Sequence, residues 1–418
     1  MGMRAPVSFQ EHFATLTDPR CPQAPNSRHL LMDILILAVC AVIGGAEGWE
    51  DIEEYGKAQA EWFADLLDLP HGIPGHDTFR RVLSRLDPEE LTQCFIAWTQ
   101  ALSEVSGGDI VSIDGKTLRH SFDQATATAA IHMVSAWASA NRLVLGQLKV
   151  DEKSNEITAI PALLRLLDLK GAVVTIDAMG CQKEIAKAIT EQGADYVLAL
   201  KDNHPTLSEA VTLFLTDARA TGFADIEHAY HETVDGDHGR IETRRYWITS
   251  DIEWCGAKAS WANLQSIGMV EARRARGDTV QIDTRYFLTS LPAHAGRFAH
   301  AVRQHWGVEN SLHWVLDVSF QEDACRIRKE KGAQTFAVLR HIALNLLRRE
   351  PHHKRGIKAR RKRAGWDRDY LVQVLTLQRH LQNMLFYHKG LQVCKKSLSF
   401  VAGDRKAAIL RVQILSAH

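Results

Sequence analysis

The chain has no surplus of charge of either sign: 50 Lys and Arg balance 50 Asp and Glu, which excludes a uniformly basic nucleic-acid coat. It is also poor in cysteine. Its seven (Cys21, Cys40, Cys94, Cys181, Cys255, Cys325 and Cys394) are odd in number and never spaced as a CxxC pair, so neither a disulfide framework nor a zinc site is indicated. Long hydrophobic runs are missing too. The apolar stretch from Ile34 to Ala46 is shorter than the roughly 18 residues of a membrane span and ends in Gly44-Gly45, so it reads as a buried helix. No basic leader with an apolar core and cleavage site opens the chain, so export is not expected. Internal repeats and low-complexity linkers are absent. These absences leave a cytoplasmic protein with reduced thiols and no membrane partner, and 418 residues allow two or three domains.

The charge that is present is unevenly spread. The stretch from Glu47 to Asp68 is acidic, whereas Arg348 to Arg368 is dense in Lys and Arg. Phosphate contacts need only one basic face, and like-charge blocks often serve as interaction tails.

The run Ala172-Val173-Val174-Thr175-Ile176-Asp177 is apolar and β-branched without alternation, which predicts a strand buried on both faces. Helical spacing follows from Gln182, then a second strand, Tyr196 to Leu200. Such a βαβ unit puts Asp177 at the carboxyl end of a parallel strand, where open α/β sheets carry their chemistry. A lone Asp there serves equally well as a helix cap.

Residues 1–108 read as an all-helical domain, with helices from His29 to Ile43, Trp49 to Leu67, Asp77 to Leu86 and Pro88 to Leu102. Asp77 or Thr78 can cap the third, leaving Arg80, Arg81 and Arg85 on its exposed side. That helix could be presented to DNA, or be an ordinary solvated helix of a bundle. A second strand ending on an acid, Asp109 to Asp114, opens the next domain. Strands at Ile131 to Trp137 and Leu143 to Val150 and a helix from Lys153 to Asp168 lead to the strand ending at Asp177. The expected fold is α/β, a mixed sheet in which the strands ending at Asp114 and Asp177 lie side by side. At a strand spacing of about 4.8 Å their carboxylates are close enough to share a divalent cation.

Residues 205–295 read as a β-rich insertion whose arginines, among them Arg240, Arg244, Arg245, Arg273, Arg274, Arg276 and Arg285, track a phosphate backbone or sit on the wet face of a sheet. A helix then runs from Arg297 to Trp314 and carries Glu309 on its apolar face. A buried acid needs a cationic partner, either a metal or Arg303. The core domain is therefore 109–204 with 296–350, and 351–418 forms a basic segment with an unusual tail.

Several motifs stand in order: Ile73 to Arg81, Ser112-Ile113-Asp114-Gly115-Lys116, Thr175 to Gln182, and Leu200 to Pro205. After them come His305-Trp306-Gly307-Val308-Glu309-Asn310, Leu312-His313-Trp314, Leu316-Asp317-Val318, Phe320 and Glu322-Asp323. With these the chain, over roughly residues 10 to 375, resembles bacterial insertion-sequence DDE transposases of the H-repeat-associated type found with Rhs elements. The resemblance implies a ribonuclease-H-like catalytic domain interrupted by a β-rich insertion, with catalytic, metal-holding acids at Asp114, Asp177 and Glu309. The Tyr, Arg and Lys that related transposases carry around the Glu are replaced here by Val302, His305 and Leu316. The tail after about Thr376 lies beyond the usual end of the family.

The expected chemistry is cleavage of DNA at element ends and transfer of the strand to a target, with two Mg²⁺ ions, for which Mn²⁺ substitutes. Asp114 and Asp177 share one ion in this reading, and Glu309 completes the second. Lys201 or Arg303 contacts the phosphate, His305, His313, Arg80 and Arg81 contribute to DNA binding, and Asn203, Asn310 and Asp317 support the ligands. Holding two ends together implies a homodimer or higher assembly. The competing reading is a DNA-binding remnant that no longer cuts.

Overall fold

The computed structural model describes residues 9–20, 28–102, 108–122, 129–150, 155–237, 240–276 and 279–376. The expected helix start at Lys153, together with Cys21, Cys394 and the tail beyond Thr376, lies outside them.

The first helices are α1 (Phe9–Phe13), α2 (Leu31–Gly44), α3 (Trp49–Ala58), α4 (Ala60–Leu66), α5 (His76–Leu83) and α6 (Pro88–Leu102). α2 is buried from Asp33 to Ile43, which explains an apolar run without a polar face. The single helix expected from Trp49 to Leu67 is broken at Gln59, whose backbone leaves the helical region. Neither Asp77 nor Thr78 caps α5. Glu53 of α3 does so instead, accepting the His76 backbone N–H at 2.7 Å, while Asp77 pairs with Arg80 at 2.8 Å.

The sheet begins with β1 (Ile110–Thr117), β2 (His132–Ala138) and β3 (Leu143–Lys149). It continues through α7 (Glu156–Leu166), β4 (Val173–Ile176), α8 (Lys183–Glu191) and β5 (Asp195–Leu200). β1, β4 and β5 are mutually parallel and β2 is antiparallel to β1 and β3, giving the order β3-β2-β1-β4-β5 of a ribonuclease-H-like sheet. The residues after 204 start with a helix rather than a strand, α9 (Pro205–Ala220). β6 (Ala229–Asp237), β7 (Arg240–Thr249), β8 (Ser266–Arg276) and β9 (Thr279–Thr289) follow. β9 pairs antiparallel with β5, so these four strands extend the same sheet to nine.

Strand alternation divides the core. Val111, Ile113, Val174 and Ile176 pack with residues of α7, α8 and α9. Ile110, Val173, Val197 and Phe287 face α10 (Ala295–Gly307) through Phe298 and Ala299. The seat of α10 depends on Gly268 of β8, because a Cβ there would lie 2.4 Å from the Phe298 ring.

A π-helical turn (Val308–His313) joins α10 to α11 (Trp314–Phe320). α12 (Gly332–Arg349), α13 (Ile357–Trp366) and α14 (Arg368–Thr376) follow. Phe320, Leu339, Leu347 and Tyr370 share one core with Phe13, Ile43 and Trp98, so helices from both ends of the chain pack as one layer. Buried Asn345 of α12 pins that layer to the sheet edge, bonding the Val144 N–H at 3.0 Å and its carbonyl at 2.9 Å.

The basic segment is ordered between Ile357 and Trp366 rather than a loose tail. Arg361 is buried and donates to the carbonyls of Val42, Ala46 and Ser319. Arg360 donates to those of Leu347, Glu350 and His353, and Arg348 and Arg349 to those of Ser311 and Leu102. These arginines satisfy orphan carbonyls at helix ends, a structural use that a charge run does not reveal.

Candidate active site

Asp114 and Asp177 come to neighbouring positions because β1 and β4 run parallel in register. Ser112 is opposite Thr175 and Ile113 opposite Ile176, so each acid comes one residue after the last matched pair. Ser112 and Thr175 point toward α10: their hydroxyls are 3.1 Å apart, and Thr175 Oγ1 lies 3.0 Å from His305 Nδ1. The pleat therefore aims Asp114 to the same side. Asp177 Oδ1 also accepts the backbone N–H groups of Met179 at 3.1 Å and Gly180 at 3.3 Å, so the acid is held by the turn that follows it.

Glu309 is not on the apolar face of a regular helix. The π turn leaves it exposed while Val308, Leu312 and His313 are buried around it. Such turns change the register of a helix locally and recur at functional sites. Its position there brings Glu309 to Asp114: ligand atoms of Asp114, Glu309 and His313 all lie within 4.8 Å of one another. Arg303, the other partner considered for Glu309, reaches Asp235 instead, at 3.6 Å. Asp177 is outside this tightest group and stands beside Asp114 across the strand pair.

Three further groups surround the acids. Lys116, two residues after Asp114, pairs with Asp317, with buried Glu322 at 2.9 Å and with Asp323 at 3.8 Å. Glu322 also faces Arg340, 3.8 Å away. Burial opposes ionisation of Glu322, but Lys116 and Arg340 hold its pKa below the usual carboxylate range. On the other side Glu156 pairs with His132, whose second nitrogen lies 2.8 Å from Thr117 Oγ1. Burial raises the pKa of Glu156 against the bond from His132, and the charges of Asp177 and Asp114 add to the rise. The Glu156 carboxylate lies close over Gly115, in the space that a Cβ would take, so a side chain at 115 would displace Glu156 and His132. The third group is His305, partly buried on α10. Its pKa is lowered by desolvation, with Asp114 and Asp177 opposing the shift.

The other residues singled out from sequence are placed as follows. Asn203 donates to the carbonyls of Ala178 at 2.6 Å and Cys181 at 3.2 Å, fixing the turn after Asp177. Lys201 is exposed after β5. Asn310 and Arg303 line a groove with Arg244, Arg274, Arg285 and Trp306, and the Arg285 guanidinium lies 5.1 Å from the centre of the Trp306 ring. Arg80 and Arg81 lie on α5, in the helical layer, with Arg81 bonded to the Asp77 carbonyl. Neither Glu156 nor His132 was expected from sequence. An acid in the first turn of a helix is too common to signal a site, whereas Lys116 and Glu322 lie within the quoted motifs.

Residues 106–346 match the family described as Transposase DDE domain, and residues 10–99 match the one described as DDE_Tnp_1-associated. The chain belongs to the DDE transposase family, in its H-repeat-associated branch. It is 41% identical over 376 residues to "H repeat-associated putative transposase YhhI" of Escherichia coli K12, covering 88% of this chain and 97% of the relative. It is 42% identical over 373 residues to "Putative transposase YncI" of Escherichia coli O157:H7, covering 88% and 94%. A shorter relative, "Inactive transposase YbfQ" of Escherichia coli K12, is 48% identical over 77 residues, 18% of this chain and 89% of the relative. For this DDE transposase the family implies DNA as substrate and a divalent metal in the site. No single helix among the described residues is long and apolar enough to cross a membrane.

Proposed function

We propose that this transposase binds the terminal inverted repeats of an insertion sequence, cleaves DNA there and joins the freed strand to a target, using Asp114, Asp177 and Glu309. The observation that carries the reading is the meeting of Asp114 and Glu309, far apart in the chain, where β1 leaves its pairing with β4, with Asp177 directly after β4.

The donor set fits a divalent cation: carboxylates come from separate elements, and a buried imidazole beside them lacks any hydrogen-bond partner among the described residues. Asp114, Asp177 and Glu309 would hold Mg²⁺ or Mn²⁺, in the two-ion arrangement common to phosphodiester chemistry. When bound, the metal supplies charge neutralisation at the attacking and leaving oxygens. The chain's own residues position the rest. Asn203 and the turn at Met179 fix Asp177, Gly115 lets Glu156 approach, and Lys116 anchors Asp317 next to the π turn. Lys201 or Arg303 contacts the scissile phosphate, and the groove by Trp306 carries the flanking backbone. Arg80 and Arg81 serve DNA binding from the helical layer. Two ends held together call for a homodimer or larger assembly.

The test uses labelled DNA carrying the element's own ends, with Mg²⁺ or Mn²⁺. Cleavage and strand-transfer products are expected from the wild type. Asp114→Asn, Asp177→Asn and Glu309→Gln should each lower cleavage by at least about 10³-fold while retaining DNA retardation. Retardation without cutting by the wild type in either metal would overturn the enzymatic reading in favour of a DNA-binding remnant.

A further inference from the structure

His313 has the marks of a metal ligand rather than of a core histidine. It is only 4% exposed, yet neither ring nitrogen has a hydrogen-bond partner among the described residues. A buried imidazole normally bonds through at least one nitrogen, because an orphaned polar group loses its hydration without replacement. Its Nε2 is aimed at the acids, 3.3 Å from Asp114 Oδ2 but without hydrogen-bond alignment. The three ligand atoms of Asp114, Glu309 and His313 fit within a 4.8 Å envelope, which a cation with bonds of about 2.0–2.4 Å can span.

The backbone explains how two of these donors come together. Glu309 and His313 are the second and last residues of the π turn, and the turn brings both to Asp114 of β1, one side chain exposed and one buried. A carboxylate and an imidazole four residues apart on one helical turn form a local chelate, which Asp114 then completes.

We infer that His313 is a direct nitrogen ligand of the ion held by Asp114 and Glu309, making one position of this site a mixed oxygen and nitrogen centre. The inference rests on the metal-dependent reading above and adds to it. A borderline-soft donor disfavours Mg²⁺ relative to Mn²⁺, since Mg²⁺ favours an all-oxygen shell. The asymmetry is specific: the ion between Asp114 and Asp177 keeps carboxylate ligands, whereas the one at Glu309 gains the imidazole. His305 is the other imidazole nearby, but its Nδ1 is engaged by Thr175.

The experiment is pulsed electron paramagnetic resonance of Mn²⁺ bound to the full-length protein, with Mn²⁺ alone as the probe. Wild-type protein should show modulation from a coordinated nitrogen, and labelling histidine with ¹⁵N should convert it to the ¹⁵N pattern, a comparison that requires no variant to fold. His313→Gln, checked for folding by thermal unfolding, should lose the modulation, and Mn²⁺ should bind at least about tenfold more weakly. Competition by Mg²⁺ should strengthen in that variant. His305→Gln and Asp177→Asn should keep the nitrogen signal. Mn²⁺ bound without nitrogen modulation, or modulation that persists in His313→Gln, would overturn the assignment of His313 alone. A wild type that binds no Mn²⁺ at all would overturn the metal-dependent reading together with it.

Discussion

Arg361→Ala tests whether the basic segment exists to bind DNA or to close the fold. Arg361 is 4% exposed and its guanidinium stacks 4.2 Å from the centre of the Phe320 ring. Its donors reach Val42 O at 3.2 and 2.8 Å, Ala46 O at 3.4 Å and the Ser319 carbonyl, all at helix ends. Burial lowers its pKa from 12.5 to about 10, the mark of a guanidinium that has lost much of its hydration yet stays protonated at neutral pH. Truncation relieves that desolvation but leaves three carbonyls without donors at about 1–3 kcal/mol each, and also loses the stacking. The net destabilisation should be about 2–5 kcal/mol, because the orphaned carbonyls and the lost stacking outweigh the relieved desolvation. Urea unfolding of Arg361→Ala beside Lys362→Ala, its exposed neighbour, measures it. Lys362→Ala should change stability by less than about 0.5 kcal/mol. The salt dependence of DNA binding is read on the same proteins. An Arg361→Ala protein as stable as wild type, with a flatter dependence of binding on salt, would refute the capping role and return the residue to the DNA interface.

Gly268→Ala should drive a methyl into the Phe298 ring, destabilise the protein by about 1–3 kcal/mol and lift α10 from the sheet. Because α10 leads directly into the turn bearing Glu309, cleavage should fall by up to about 10²-fold. Unchanged unfolding and unchanged cleavage together would show that the contact does not position the acid. Asp33 in buried α2 has its pKa raised to about 6, chiefly by burial and also by Asp68. Folding therefore favours its protonated form, and its unfavourable contribution is complete above about pH 6 and absent below about 3.8. Asp33→Asn should stabilise the protein by about 1–3 kcal/mol at pH 7.5 and by little near pH 4. A difference between the two proteins that does not vary with pH would contradict this.

Local patterns made part of the site legible. Asp114 and Asp177 follow β-branched runs buried on both sides, but only Asp177 closes its strand, since β1 continues past Asp114 to Thr117 alongside β2. Glu309 was visible as an acid near an apolar face, but its real setting was not. A 3.6-residue periodicity cannot show the π turn, which is set by packing of Val308 and Leu312 into the helical core. The arginines of the basic segment misled for a related reason. Charge in a sequence looks the same whether it faces solvent or a buried carbonyl, and only the approach of α2 and α11 to α13 decides which.

Sequence by itself determined the order of strands and helices from residue 109 to 200 and the family, and marked out Asp114, Asp177 and Glu309 as candidates, because each depends on residues near one another in the chain or on motifs in a fixed order. Tertiary structure alone decided that His313 joins Asp114 and Glu309, that Glu156 overlies Gly115, and that the strands after residue 228 extend the central sheet. Those depend on contacts between segments far apart in sequence, where the distance between two side chains is set by the packing of everything between them.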